Sequence, residues 1–157
     1  MEIVRSSKGI VLYQRKHVLD ILSETCMVAA KPCSTSMDYN TKLHSTSRSP
    51  LPGPAPYRRL LGKLLYLTNS GPYISYVVSH LCQFNSSPTD QHQQATNRIL
   101  KYLKSSPALG LFFPSQNTTI LKGFSNSYWA ACLGTIKSVA GWCFFLGSSL
   151  IFWKSKK

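Results

Sequence analysis

Residues 121–131, LKGFSNSYWAA, decide how the second half of this chain is read. Leu121 to Phe124 alternates as a strand does, then runs into Ser, Asn and a Tyr-Trp pair before small residues and a turn. Two more strand signals, Ser138 to Gly147 and Ser148 to Trp153, follow closely enough to pair with it. The residue types at the end of the first strand bear on chemistry. Metal-dependent chemistry on nucleic acids uses carboxylates to hold divalent ions, and this strand offers Asn126 and Tyr128 instead.

The whole chain points the same way. Its 157 residues make one ordinary domain or pieces of two small ones. An apolar fraction of 43% is enough for a core, and 15% charged is low for a soluble domain. With 18 Lys and Arg against five acids, the net charge is +13, which favours a polyanionic partner: nucleic acid first, an anionic membrane surface second. The plain alternative is a piece of a larger protein whose charge bias serves no partner. The acids are Glu2, Asp20, Glu24, Asp38 and Asp90, and none follows Asp90. Two-metal polymerases and nucleases need several carboxylates, and residues 91–157 have none.

Cys26, Cys33, Cys82, Cys132 and Cys143 form no CxxC pair, which argues for reduced thiols rather than zinc or disulfides. His17, His44, His80 and His92 form no ligand-spaced cluster, so no cofactor or metal is expected. The N-terminus is not a signal peptide, and Ala140 to Trp153 is too short and too broken to span a membrane. A soluble intracellular protein, cytoplasmic or nuclear and without a membrane partner, is the expectation.

Glu2 to Val4 and Gly9 to Tyr13 alternate as a hairpin. Arg15 to Glu24 reads as a short helix with Val18, Leu19 and Leu22 on one face. Lys31 to Met37 is extended around Pro32, and Asp38 to Pro56 is an irregular linker, with Pro50, Pro52, Pro54 and Pro56 alternating. Three helices follow. The first buries Tyr57, Leu60, Leu61, Leu64, Leu65 and Thr68 and carries Arg58, Arg59 and Lys63 off that face. The second, Tyr73 to Asn85, buries Ile74, Val77, Val78, Leu81 and Phe84. The third is capped by Ser87, with Pro88 in its first turn, and buries His92, Ala95, Ile99, Tyr102 and Leu103. Arg98, Lys101 and Lys104 recur along another side of it, suited to phosphates or to a solvated cationic face alike. Leu109 to Phe113 and Thr118 to Phe124 read as a hairpin across Pro114 to Asn117.

Several blocks carry a family likeness: GIVLYQRKHVLDILSETCM, KPCSTSMD, PYRRLLGKLLYLTNSGPYISYVVSHLCQF, SSPTDQHQQATNRILKYLKSSPALGLFF and KGFSNSYWAACLGTIKSVAGWCFFLGSSLIFWKSKK. In order and across essentially the whole chain, they resemble the Pol polyprotein of plant Ty1/copia retrotransposons. The resemblance implies a stretch beginning just after the reverse-transcriptase palm motif and running into the ribonuclease H domain. It implies an α+β fold: an N-terminal hairpin and short helix, a proline-rich linker, a three-helix segment, then a truncated ribonuclease H-like β-sheet. The implied divisions are 1–37, a reverse-transcriptase remnant; 38–56, the linker; 57–106, a helical connection; and 107–157, the truncated ribonuclease H-like part.

Intact family members synthesise DNA on RNA and cleave RNA–DNA hybrids with Mg2+. The family pattern near Gly123 is similar to G-F-S-D-S-D-W-A, so Asn126 and Tyr128 stand where it has Asp. Gly71 and Tyr73 likewise replace an Arg and an Asp of an Arg-Pro-Asp-Ile pattern. The palm motif would lie before Met1, and the later catalytic acids after Lys157. The expectation is a catalytically inactive remnant with no catalytic or metal-binding residue. Weak affinity for an RNA–DNA hybrid or other nucleic acid would run through Arg98, Lys101, Lys104, Arg58 and Arg59. The alternatives are a basic binding or interaction module, and an enzyme completed in trans by an intact copy. Truncation would leave Trp142, Phe144, Phe145, Ile151, Phe152 and Trp153 partly uncovered, favouring aggregation.

Overall fold

The computed structural model describes residues 1–38, 43, 49–128 and 139–156, with the backbone alone at 128, 139 and 156. It opens on β1 (Glu2–Ser6) and β2 (Gly9–Tyr13), antiparallel with Ser6 opposite Gly9. Helix α1 (Arg15–Glu24) follows, then α2 (Pro54–Leu67), α3 (Pro72–Cys82) and α4 (Asp90–Ser105). Strand β3 (Leu111–Pro114) precedes β4 (Leu121–Tyr128), β5 (Val139–Leu146) and β6 (Ser149–Lys156). Among the described residues the architecture is α+β, four helices with two three-stranded antiparallel sheets ordered β1-β2-β3 and β4-β5-β6.

The helices share one core. Val18, Ile21 and Leu22 of α1 meet Tyr57, Leu60, Leu61, Leu64 and Leu67 of α2, Ile74, Val77, Val78 and Leu81 of α3, and Ile99, Leu100 and Leu103 of α4. Four positions correct the periodicity reading. Leu19 and Leu65 lie 43% and 47% exposed, while Ile21 and Leu67 take the buried places. In α4, Thr96 and Leu100 are fully buried, whereas Ala95 and Tyr102 are only partly so. The middle of each stripe stays where the periodicity puts it, at Val18 and Leu22, Leu61 and Leu64, and Ile99 and Leu103; only flanking positions change, because the packed neighbours decide which side of an apolar row is covered.

Helix α2 begins at Pro54, inside the stretch read as irregular linker, with proline in the first turn, where a missing N–H leaves nothing unpaired. Pro50 bridges to Thr89, and Leu51 N–H donates to the Pro88 carbonyl at 2.9 Å, so this end of the linker is held against the start of α4. Residues 39–42 and 44–48 of that stretch lie outside the described residues. Helix α4 is capped by Thr89 rather than Ser87, because His92, three residues on, reaches back to close a capping box.

The hairpin expected between residues 109–113 and 118–124 does not form. Strand β3 pairs instead with β2, Leu111 opposite Leu12 and Pro114 opposite Gly9, and Ser115 N–H continues the ladder to the Lys8 carbonyl at 2.9 Å. Gly9 is needed there, since its φ of +148° and the Phe113 carbonyl against it exclude a side chain. Asn117 turns the chain to the other sheet: its amide nitrogen donates to the Leu146 carbonyl at 2.8 Å and its oxygen accepts from Ser148 N–H at 2.9 Å. Strand β4 then runs antiparallel to β5 from Leu121 opposite Leu146 to Tyr128 opposite Val139. A register shift at Phe144/Phe145 bends β5 against β6. Strand β6 lies beside α3 and β3, and Trp153 Nε1–H donates to the Thr68 carbonyl at 3.1 Å.

Candidate functional site

Alternation along β4 sends Lys122, Phe124 and Asn126 to one face, and Leu121, Gly123, Ser125 and Ser127 to the other. Asn126 is exposed and stands opposite Gly141; the backbone of Tyr128 stands opposite Val139. The charged residues of the three strands are Lys122, Lys154 and Lys156, all cationic. A divalent-ion site needs hard anionic oxygens, and the neutral Asn126 amide, on strands whose charged residues are lysines, does not supply the negative charge that brings two such ions together. The residues on this sheet therefore do not fit the Mg2+ that the family resemblance implies. Among the described residues, no three His, Cys, Asp or Glu side chains are grouped to hold a metal ion.

The cationic row of α4 is not an open face. Arg98 donates to Thr35 Oγ1 at 2.7 Å, and Lys104 Nζ donates to the Ala30 carbonyl at 2.6 Å. Cys33 N–H donates to the Lys101 carbonyl at 3.3 Å, so the extended 30–35 segment is laced onto α4 by the residues read as phosphate contacts. The Lys101 side chain itself is exposed. Arg98 and Lys101 line a cavity of about 550 Å³ between this segment and α4, together with Lys31, Met37, Val77 and Ala95. The extended reading of residues 31–37 foreshadows that wall, but no local signal shows that it returns to α4.

Arg58 donates to the Asn85 and Ser86 carbonyls at 2.8 and 3.1 Å, satisfying acceptors just past α3. Arg59 is exposed beside Glu24, whose carboxyl is held below its ordinary range chiefly by its hydrogen bond and charge pairing with Lys63. Of the five cationic candidates, three side chains, Arg98, Lys104 and Arg58, thus have hydrogen-bond partners within the fold.

The other departures from the family pattern fit one another. Tyr73 donates to the Leu109 carbonyl at 3.0 Å, packs edge-on against Tyr102, and has its phenol pushed up to about 12 by burial. A Cβ at Gly71 would lie 3.2 Å from the Tyr73 ring, so an Arg there would crowd it. The glycine and the tyrosine form one local packing solution. Tyr57 is buried, donates to the Leu81 carbonyl at 3.2 Å and is likewise raised to about 12 by burial, which marks a core phenol rather than a reactive one.

Fold and site define a basic α+β protein whose second sheet lacks metal-holding carboxylates. No protein-family model matches the chain, and no solved structure matches it. It is 40% identical over 157 residues to the retrovirus-related Pol polyprotein from transposon RE1 of Arabidopsis thaliana, and 39% identical to that from transposon RE2. Both alignments cover 100% of this chain and 11% of the relative. An uncharacterized mitochondrial protein of Arabidopsis thaliana is 34% identical over 158 residues, covering 100% of this chain and 65% of that protein. The chain belongs to the plant Ty1/copia-type retrotransposon Pol family and corresponds to a small part of the length of its polyproteins. Among the described residues no helix is long and apolar enough to cross a membrane.

Proposed function

We propose that this chain is the Pol region in which the end of the reverse transcriptase passes into the ribonuclease H domain, and that it is catalytically silent. On this reading residues 1–37 and 57–106 belong to the reverse-transcriptase side, 38–56 link them, and β4–β6 form the opening antiparallel strands of a ribonuclease H-like sheet. The observation that carries the silence is Asn126, exposed on a strand whose sheet has lysines as its charged residues. Neutral and cationic side chains leave the attacking water and the leaving oxygen of a phosphodiester without the metal ions that would stabilise them. What the chain retains is charge: +13 overall supports weak, non-specific and salt-sensitive binding to nucleic acid. The test is an end-labelled RNA–DNA hybrid incubated with purified protein and Mg2+. The expected pattern matches buffer alone; cleavage that needs both the protein and Mg2+ would overturn the reading.

A further inference from the structure

The register of the second sheet assembles a surface that the cationic helix row does not. On one face, Gly123, Phe144 and Phe152 lie in a row across the three strands, and Ser125, Trp142 and Lys154 form the next row. The Phe144 and Phe152 rings have centroids 5.9 Å apart and are 38% and 45% exposed. Gly123 is part of the construction, because a Cβ there would meet the Phe144 ring at 2.9 Å. Trp142 is half-buried, and Ser125 and Ser127 keep the flank of β4 low. Phe152 and Lys154 also border a groove of about 440 Å³ between β6 and α3, lined by Thr68, Ser75 and Ser79. Flat rings, an adjoining lysine and a hydroxyl-lined groove thus lie side by side.

We propose that this face is a stacking platform for single-stranded nucleic acid, an inference that rests on the nucleic-acid affinity proposed above. Unpaired bases lie on Phe144, Phe152 and the exposed part of Trp142, and the sugar–phosphate backbone follows the groove past Lys154 and the α3 hydroxyls. Charge complementarity selects the occupant: Lys154 stands in the row beside the rings and the chain carries +13 overall, which favours a polyanion over a basic partner. The aromatic rings select it further. A polyanion without bases gains nothing from them, and a duplex keeps its base faces stacked inside.

The test compares two polyanions. Binding of a labelled oligothymidylate is measured by fluorescence anisotropy, and binding of heparin in parallel, for the wild type, for Phe144→Ala/Phe152→Ala and for Phe152→Trp. Both phenylalanines are exposed, so the alanine variant is expected to keep its fold, checked by circular dichroism. Loss of stacking is expected to weaken oligothymidylate binding about five- to hundredfold per lost base contact and leave heparin binding unchanged. Phe152→Trp is expected to retain it. An alanine variant that binds oligothymidylate like the wild type overturns the platform while leaving the general affinity standing. Wild-type protein that binds heparin and no oligothymidylate overturns it as well. Wild-type protein that binds neither polyanion defeats the parent reading and this inference together.

Discussion

Acidification is expected to destabilise this protein through one buried imidazole. His92 is fully buried, its ring stacked on Phe84 at 4.1 Å, and its Nδ1 accepts from Thr89 N–H at 2.9 Å. That bond assigns the ring proton to Nε2, which is buried without a hydrogen-bond partner among the described residues. Burial holds the imidazole below its ordinary value of 6.5, repulsion from His80 adds to this, and Asp90 opposes it. The unfolded chain takes up a proton near 6.5 while the folded chain resists it, so stability is complete above that value and lost as pH falls below it.

Between about pH 7 and about pH 5.5 the loss reaches at most about 1.3 kcal/mol for one such group, the limit in which the folded state stays unprotonated. Protonation of Nδ1 would break the α4 capping box, which is worth about 0.5–2 kcal/mol, and this cost helps keep the folded imidazole unprotonated rather than adding to that limit. His92→Gln is the informative control, since glutamine at this helix position accepts the same backbone N–H without titrating. Urea unfolding of both proteins across this range is expected to show a steeper loss for the wild type. Equal slopes would refute the assignment of the acid sensitivity to His92.

Other consequences of the packing are as direct. Leu64→Ala removes a fully buried side chain and is expected to cost about 2–5 kcal/mol in urea unfolding, whereas Leu65→Ala, half exposed one residue on, is expected to stay within about 0.5 kcal/mol. Equal costs would place the α2 stripe wrongly. Asn117→Ala removes the amide that binds the Leu146 carbonyl and Ser148 N–H, and is expected to lower stability by about 1–2 kcal/mol, with faster amide exchange confined to β5 and β6. With Leu121, Phe124, Ile151 and Phe152 all more than 40% exposed on one sheet, the purified chain is expected to bind an apolar-surface dye and to aggregate with concentration. A monomer with a sharp reversible melt and no dye binding would contradict this.

Local patterns were enough to read α1, the β1–β2 hairpin, the helical character of residues 57–104 and the strands that became β4, β5 and β6, because each is a short-range matter of alternation, periodicity and turns. Partner choice was not local. Strand β3 alternates as well as any hairpin arm, but its partner β2 lies about a hundred residues away, and only Gly9 hints at the close approach. The cationic row of α4 was legible as a row. That Arg98 and Lys104 would bind Thr35 and Ala30 was not, since no spacing rule ties an extended segment to a helix more than sixty residues on. The platform was hidden for a related reason. The aromatic residues of β5 and β6 were legible as partly uncovered, but only the register sets Phe144 and Phe152 side by side on one face.

The central claim is that the sheet beginning at Leu121 does not gather the divalent ions its relatives' chemistry would need. Titration of the isotope-labelled protein with Mn2+ tests this most directly, through paramagnetic broadening of the amide signals of Asn126 and its cross-strand neighbour Gly141. Broadening that stays weak, non-saturating and no greater there than elsewhere on the surface is the expected result. Selective, saturable loss of those two signals at stoichiometric metal would contradict the account.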